Sequence, residues 1–148
     1  MGAAMNSYSV SAGAGNSSRL AGVLRRAPLV MATVIFTLIS FRYLAHPVRA
    51  ASEAGIAFTS PGSITIARVG FAGFLLSLAI LAFASLISAR WRLGGLYMVL
   101  TVDSAVMAVR ILGFWLDHST ASALLLAPEA VLLTVSIIAI RLESSVQP

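Results

Sequence analysis

The sequence contains no cysteine and no lysine. Without cysteine, the chain has no disulfide framework, no thiol nucleophile and no thiolate metal ligand. Charged residues make up only 10% of the 148 residues, and hydrophobic residues make up 59%. An ordinary soluble domain is about one quarter charged. The composition therefore excludes that class and predicts an integral membrane protein.

Histidine is nearly as scarce, since the chain has only His46 and His118. Two imidazoles without thiolates do not make a metal site by themselves. The sequence also lacks a glycine-rich phosphate loop and a His-Glu metal-binding helix, the motifs that bring phosphate or metal chemistry. We therefore expect no catalytic residue, no metal and no cofactor.

All ten basic residues are arginines, and the chain has a formal net charge of +5. Six of them precede, separate or follow the apolar runs: Arg19, Arg25, Arg26, Arg90, Arg92 and Arg141. Basic residues collect on the cytoplasmic side of membrane proteins, so this distribution predicts that both termini are cytoplasmic. We expect no nucleic-acid partner, because the repeated interleaving of aromatic and basic residues in such sites is missing.

The apolar runs predict an all-α fold, a four-helix transmembrane bundle with a disordered N-terminal tail. The tail covers residues 1–18, which are rich in Ser, Gly, Ala and Asn and lack hydrophobic periodicity. Each predicted span reaches the ~20 residues that a bilayer requires. The four-span membrane domain covers residues 19–143, with approximate spans at 24–45, 64–88, 94–116 and 121–141.

The segment 47–63 joins the first two predicted spans on the side opposite the termini. A short amphipathic helix is predicted within residues 48–56, and Ser-Pro-Gly at 60–62 predicts a turn. An alternative interpretation treats the first span as a signal peptide that is cleaved after the V-R-A at 48–50. The long segment before the apolar core, and the arginine at position 42 that interrupts it, favour a retained span.

Small residues form one face on each of the first two predicted spans. Gly73 and Ser77 have the small-xxx-small spacing that lets helix backbones approach closely in lipid. The predicted packing face comprises Gly70, Gly73, Ser77, Ala84 and Ser88 on the second span and Thr33, Thr37 and Ser40 on the first. We therefore expect these two helices to pack tightly against each other.

The third and fourth predicted spans each carry polar residues at seven-residue intervals, and residues seven apart share a helix face. The residues are Asp103, Arg110 and Asp117 on the third span and Ser122, Glu129 and Ser136 on the fourth. Helix rise places Arg110 and Glu129 at similar depth, about 10 to 12 Å from the outer end. The sequence therefore predicts that they pair, either as a structural ion pair or as part of a proton or anion relay.

Asp103 lies about two turns deeper than Arg110, near the middle of the bilayer. Ionisation of a carboxyl group there is costly unless a cation or water compensates the charge. We expect Asp103 to be protonated, to find a partner in the first or second span, or to reach Arg110 through water.

Arg42 and Arg68 fall near the outer ends of the first two spans, on faces opposite the small residues. One interpretation is that both side chains snorkel toward the outer headgroups. The other is that Arg42, Arg68 and Arg110 surround an outward-facing site for an anion or a headgroup.

Three short motifs carry a resemblance to a known family. They are A-R-V-G-F-A-G at 67–73, R-I-L-G-F-W-L-D at 110–117 and A-P-E-A-V-L-L at 127–133. Over residues 19–142 the chain resembles the bacterial family called domain of unknown function 4345, small four-span inner-membrane proteins distantly similar to the DoxX group. The resemblance implies a multi-pass protein of the bacterial inner membrane and implies no activity.

The chain departs from that family pattern at two positions. Ile66 stands where the family has an acidic residue, and Phe71 stands where it has a tyrosine. If the acidic residue normally pairs with the following arginine, Arg68 is left freer in this chain.

These observations predict a non-enzymatic membrane protein that binds a lipid or another hydrophobic ligand, or that serves as a structural component. One alternative is a proton-coupled or anion transporter that uses the polar face of Asp103, Arg110 and Glu129. Another is an accessory subunit that associates with other membrane proteins. A transporter requires a water-filled cavity between Asp103 and the outer face, whereas a structural pair requires a dry interface with both charges satisfied.

Overall fold

The computed structural model describes residues 8–117 and 120–146, and describes side chains for residues 19–116 and 126–146. Every regular element among these residues is helical, which confirms the all-α prediction. The elements are α1 (Tyr8–Ala45), α2 (Pro47–Glu53), α3 (Pro61–Ala67), a π turn (Arg68–Gly73), α4 (Phe74–Ile87), α5 (Ala89–Asp117) and α6 (Thr120–Ser144).

Three helical stretches of the described chain are long and apolar enough to cross a membrane: Arg19–Ala45, Pro61–Ile87 and Ala89–Leu116. They overlap the first three predicted spans and confirm the prediction of transmembrane helices. The predicted fourth span corresponds to α6, whose described part carries Glu129, Arg141 and Glu143. α6 is not among the three stretches found in the described residues.

The N-terminal helix begins earlier than the sequence indicates. α1 starts at Tyr8, so residues 8–18 of the predicted disordered tail have a helical backbone. Residues 1–7 lie outside the described residues. Once a helix has nucleated, each further residue adds a hydrogen bond, and alanine has the highest helix propensity of all residues. The helix therefore extends from the apolar part of α1 into residues 8–18 despite the polar composition of that segment.

The backbone divides into two compact units. Unit 1 comprises Met1–Pro28 and Leu100–Pro148, and unit 2 comprises Leu29–Val99. The first boundary falls at Pro28, which is fully buried within α1. Proline removes one backbone donor from a helix interior, so the boundary coincides with a missing helical hydrogen bond.

In unit 2 the chain turns sharply between α1 and α2. The His46 N–H donates to the Arg42 carbonyl oxygen at 2.9 Å, which closes the last turn of α1. Pro47 then occupies the first position of α2, where its missing N–H costs nothing because that donor has no helical partner. The short helix predicted within residues 48–56 is therefore present as α2.

Glycine ends α2. Gly55 has a φ of 76°, a left-handed conformation that glycine adopts without a steric penalty. The Ile56 N–H donates back to the Ala51 carbonyl oxygen at 2.8 Å, as in a Schellman cap.

The Ser-Pro-Gly sequence at 60–62 starts a helix and is not a free turn. The Ser63 N–H donates to Ser60 Oγ, and the Ser60 N–H donates to Ser63 Oγ, both at 3.2 Å. This reciprocal capping box satisfies two backbone donors, and Pro61 follows at the first helical position. Sequence analysis predicted a turn here and began the second span at residue 64, three residues after the helix starts at Pro61.

A small apolar cluster holds the 47–63 segment against the longer helices of unit 2. Phe58 packs against it, and its buried members are Tyr43, Ala50, Ala51 and Ala72. The rings of Tyr43 and Phe71 stack with centroids 4.7 Å apart. The segment is thus part of the core of unit 2.

Candidate functional site

Arg110 on α5 and Glu129 on α6 form an ion pair in unit 1. Arg110 Nε donates to Glu129 Oε1, and 32% of the arginine side chain and 14% of the glutamate side chain are exposed. The pair is therefore partly screened by solvent on the arginine side and buried on the glutamate side. The structure brings together the two charges that heptad spacing indicated.

Asp103 lies one heptad before Arg110 on α5 and is 7% exposed. Its Oδ2 has no hydrogen-bond partner among the described residues. Glu129 is close enough to interact with it electrostatically. Because Glu129 is also acidic, it would repel an ionised Asp103 and would not compensate its negative charge.

Ser136 on α6 is fully buried. Within the described part of the chain, its Oγ and the Oε2 of Glu129 also have no hydrogen-bond partner. These two atoms and Asp103 Oδ2 are thus buried in unit 1 without a hydrogen-bond partner among the residues described. The side chains of Asp117 and Ser122, which the sequence places on the same faces, lie outside the described residues.

A second ion pair in unit 1 joins α1 to α6. Arg25 NH1 lies 3.7 Å from Glu143 Oε2, and the Glu143 side chain is only 4% exposed. Sequence analysis treated Arg25 solely as a topology signal and missed this contact. The sequence did indicate that Glu143 shares the polar face of α6, because it continues the seven-residue series of Glu129 and Ser136.

An open groove of about 430 Å³ lies beside Arg110. Its remaining lining residues are apolar: Ala105, Val106 and Val109. Asp103 is not among the residues that line it. The groove therefore does not supply the water-filled connection from Asp103 that a transport path along this face requires.

In unit 2 one glutamate bridges two arginines. Arg42 NH2 contacts Glu53 Oε2, and Arg49 Nε donates to Glu53 Oε1 at 3.3 Å. More than half of the Arg42 side chain and most of the Arg49 side chain are exposed. Sequence analysis missed Glu53, although its four-residue spacing from Arg49 on α2 is typical of an intrahelical pair.

A groove of about 660 Å³ lies at the same end of unit 2. Its lining mixes cationic, hydroxyl and apolar groups: His46, Pro47, Val48, Arg49, Ser52, Pro61, Ile64, Thr65 and Arg68. The described residues provide no ion-pair partner for Arg68. Of the three arginines predicted to form an anion site, Arg42 and Arg68 thus belong to this end of unit 2. Arg110 belongs to unit 1 and is bound by Glu129.

Most of the small-residue face predicted for the second span is exposed in the structure, and only Ala84 and Ser88 of that face are half-buried. Gly70 and Gly73 are exposed, and Ser77 Oγ donates to the Gly73 carbonyl oxygen of its own helix at 3.0 Å. The buried face of this helix comprises Ala72, Leu78, Ala79, Ala82 and Ser85. The π turn is wider than an α-helical turn, so it offsets the helix face before Arg68 from the face after Gly73.

The first and second predicted spans nevertheless meet, through a different residue pair. The buried Ser40 hydroxyl donates to the Ala72 carbonyl oxygen in the π turn at 2.8 Å. Thr33 is half-buried and donates to the Leu29 carbonyl oxygen of its own helix at 2.7 Å, and Thr37 is also half-buried. Of the three hydroxyl residues predicted to pack, only Ser40 makes a described interhelical hydrogen bond.

Gly95 on α5 is a close-packing position that sequence analysis missed. A Cβ atom there would collide with the Cβ and Oγ of Ser85 and would lie 3.2 Å from Leu29 Cδ2. The neighbouring Gly94 has open space around the same position. The sequence alone does not show which of the two adjacent glycines packs against another helix.

Within the described residues, no group of three His, Asp or Glu side chains is placed to hold a metal ion. Comparison of the chain with protein-family models, with curated proteins and with solved structures yields no match. The resemblance to the domain of unknown function 4345 family therefore stays a prediction. Function must be argued from the geometry of the two units.

Proposed function

We propose that this chain is a multi-pass membrane protein that binds an anionic phospholipid, without enzymatic activity, in the groove of unit 2. The observation that carries the proposal is the lining of that groove, where Arg49 and Arg68 lie beside the apolar side chains of Val48 and Ile64. Such a surface suits a ligand with a charged head and an apolar chain.

The charge balance at this end of unit 2 favours an anionic head. Arg42 and Arg49 share the single carboxylate of Glu53, and Arg68 adds a further positive charge. Positive charge therefore exceeds negative charge among these residues. Arginine presents a planar fork of donors that matches a phosphate group, and charge-assisted hydrogen bonds of this kind are stronger than neutral ones.

The position of the groove favours a lipid over a free anion. Its lining comes from α2, which follows the end of α1, and from the first turns of α3 and the π turn. α1 and the helix that begins at Pro61 are two of the transmembrane-length stretches, so their ends would meet the headgroup region. The volume of about 660 Å³ lies within the range of roughly 300 to 1,000 Å³ that is usual for ligand pockets.

The membrane topology that accompanies this proposal has α6 as a fourth span. α6 contains 25 residues, and a helix of that length covers about 37 Å at 1.5 Å per residue. Two of its charges, on Glu129 and Glu143, face Arg110 and Arg25, and pairing of this kind lowers the cost of charge within a membrane. The arginine distribution then supports a four-helix bundle in the bacterial inner membrane with cytoplasmic termini.

Native mass spectrometry of the gently extracted chain tests the proposal. The protein is reconstituted in nanodiscs that contain equal amounts of phosphatidylglycerol and phosphatidylcholine, released into mild detergent and weighed with its retained lipid. We expect retained phosphatidylglycerol on the wild-type chain and at least a several-fold loss in Arg68→Gln. The matched control is Arg90→Gln, which removes the same charge from an exposed position of unit 2 outside the groove.

Equal retention of phosphatidylglycerol by Arg68→Gln and Arg90→Gln would contradict the groove as the binding site. Retention of phosphatidylcholine in preference to phosphatidylglycerol would contradict the anionic headgroup. Loss of lipid from both variants alike would indicate binding by net charge and would also count against the groove.

A further inference from the structure

The two helical segments that line the groove of unit 2 carry the same pair of side chains. Arg49 and Ser52 lie three residues apart on α2, and Thr65 and Arg68 lie three residues apart where α3 enters the π turn. Residues at this spacing share a helix face, and helix rise separates them by about 4.5 Å. All four side chains are exposed and line the groove. Each segment therefore presents a guanidinium group with a hydroxyl group about one turn away.

The hydroxyl protons of both segments are already used within their own helices. Ser52 Oγ donates to the Arg49 carbonyl oxygen at 2.9 Å, and Thr65 Oγ1 donates to the Pro61 carbonyl oxygen at 3.4 Å. A hydroxyl group has one proton to donate and two lone pairs that accept. Because the proton is directed into the helix, each hydroxyl oxygen offers its lone pairs to the groove. The groove therefore contains hydrogen-bond acceptors as well as donors.

The guanidinium groups are sufficient for the phosphate of a bound lipid. Each carries several N–H donors in a planar fork, and Arg49 directs only its Nε at Glu53 among the described hydrogen bonds. A phosphodiester has two unesterified oxygens, so the arginine donors outnumber the charged oxygens they have to bind. Bonds of this charge-assisted kind are also the stronger ones. The hydroxyl groups are therefore not needed as donors to the phosphate, and their lone pairs remain for another part of the headgroup.

The lining also decides which donor fits these lone pairs. Among the described residues, no aspartate or glutamate lines the groove, and the nearby Glu53 is shared by Arg42 and Arg49. An ammonium group would therefore approach the arginines without a compensating charge, whereas a neutral hydroxyl group meets no such repulsion. His46, the remaining polar side chain of the lining, presents one donor and one acceptor when neutral and favours neither.

We infer, on the basis of the phospholipid site proposed above, that the groove selects a phosphodiester lipid whose headgroup carries hydroxyl groups, as in phosphatidylglycerol. Arg49 and Arg68 bind the phosphate, and the headgroup hydroxyls donate to Ser52 Oγ and Thr65 Oγ1. The hydroxyls of a glycerol headgroup lie on the carbon atoms that follow the esterified one, which suits acceptors about one helical turn from the guanidinium groups. Ser52 and Thr65 thus determine headgroup specificity, and the arginines supply affinity for the charge.

Phosphatidylethanol is the matched probe, because it has the single negative charge of phosphatidylglycerol and no headgroup hydroxyl. The full-length protein is reconstituted in nanodiscs with equal amounts of the two lipids, which carry the same acyl chains, released into mild detergent and weighed by native mass spectrometry. We expect the wild-type chain to retain several-fold more phosphatidylglycerol than phosphatidylethanol. The double variant Ser52→Ala with Thr65→Val should retain the two lipids equally, because its arginines still bind both phosphates.

The control for this double variant is Ser77→Ala with Thr134→Val. It removes the same two kinds of hydroxyl group from exposed positions outside the groove, where each donates to the carbonyl oxygen four residues earlier in its own helix. The control should keep the wild-type preference for phosphatidylglycerol. A preference that survives in the Ser52 and Thr65 variant, or that is lost equally in both double variants, would overturn the role of these two hydroxyls.

Arg68→Gln distinguishes the failure of this inference from the failure of the binding site, because its retention of both lipids should fall together. If the wild-type chain retains the two lipids equally and Arg68→Gln loses both, the selection by hydroxyl groups is wrong and the anionic phospholipid site stands. If Arg68→Gln retains both lipids as the wild type does, the site is wrong and the inference fails with it. The wild-type comparison requires no substitution, so an unstable variant leaves it intact.

A final arm distinguishes a lipid from a soluble ligand with the same headgroup. Glycerophosphoglycerol, the headgroup of phosphatidylglycerol without its acyl chains, is added at the concentration of the lipid. It should leave the retained phosphatidylglycerol in place, because it lacks the chains that contact Val48 and Ile64 in the lining. Displacement of the lipid would assign the groove to a soluble phosphodiester and would overturn the lipid as the ligand.

Discussion

Units 1 and 2 both contain arginine-glutamate pairs, and the two sets of pairs differ in burial. In unit 1 the Glu129 and Glu143 side chains are 14% and 4% exposed. In unit 2 the Glu53 side chain is 43% exposed and serves two arginines. A buried ion pair adds little net stability, because both charges lose their hydration, yet it costs much to break, because removal of one partner leaves an uncompensated charge. An exposed pair is screened by water.

The two units also hold their helices together in different ways. The described interhelical polar contacts of unit 1 are between charged side chains. In unit 2 the ion pair between Arg42 on α1 and Glu53 on α2 is largely exposed, and the buried contacts between helices involve small residues: the Ser40 hydroxyl on the Ala72 carbonyl, and Gly95 against Ser85. In lipid, close van der Waals packing and polar contacts replace the hydrophobic drive between helices. The helices of unit 1 are therefore held together mainly by paired charges, whereas those of unit 2 are held together mainly by the close approach of their backbones.

The largest effect is expected where charge balance in unit 1 is broken. Glu129→Gln leaves Arg110 without its carboxylate, so the free energy of unfolding should fall by about 3 kcal/mol. The measurement is denaturant-induced unfolding of the chain in mild detergent, followed by circular dichroism. The exchange variant, Arg110→Glu with Glu129→Arg, restores both charges and should recover much of the loss. Unfolding curves that coincide for Glu129→Gln and the wild type would show that the pair contributes nothing.

Close packing in unit 2 is expected to give the next largest effect. In Gly95→Ala the new methyl group collides with Ser85 and approaches Leu29. Overpacking of this kind costs about 1 to 3 kcal/mol, so we expect a loss of about 2 kcal/mol. Gly94→Ala is the control, because a Cβ atom there meets open space and alanine is the better helix former. Equal losses for the two variants would point to helix backbone effects and would exclude the packing contact.

These two positions show what the sequence could and could not predict. Polar residues in apolar runs are few, so the two seven-residue series that contain Arg110 and Glu129 indicated facing helix surfaces, and helix rise indicated a similar depth. Small residues are common in this chain, and the spacing that marked Gly73 and Ser77 occurs at several registers. The π turn at Arg68–Gly73 then rotated the helix. Only coordinates could show that Ala72 accepts the hydrogen bond from Ser40 and that Gly95 packs against Ser85.

The helix ends show a similar limit. Pro47 and Gly55 act through local backbone conformation, so α2 was predictable within a few residues. The groove of unit 2 was not, because its lining comes from positions 46 to 68, which approach one another only after the 47–63 segment packs on Tyr43 and Ala72. Arg68 was recognised as a candidate, whereas its groove and the Glu53 bridge between Arg42 and Arg49 were not.

A smaller effect is expected from the hydrogen bond between α1 and the π turn. Ser40→Ala removes the donor to the Ala72 carbonyl oxygen in a buried position, which should cost about 1 kcal/mol. The same unfolding measurement checks this value. Ser77→Ala, which removes a hydroxyl that bonds only its own helix, should change stability much less. If the two serine variants are equally stable, the Ser40 contact does not hold the helices together.

The smallest effect on stability is expected from the exposed pairs of unit 2, and it sharpens the contrast with unit 1. Glu53→Gln breaks contacts with Arg42 and Arg49 that are largely exposed, so we expect a loss of at most about 0.5 kcal/mol. Added salt should abolish this loss, since salt screens exposed charges, whereas the loss in Glu129→Gln should persist in salt. The same substitution frees two guanidinium groups beside the groove, so retention of phosphatidylglycerol should rise while stability barely changes. A loss as large as that of Glu129→Gln would mean that burial does not separate the two units, and that the Glu53 bridge is a structural element of unit 2.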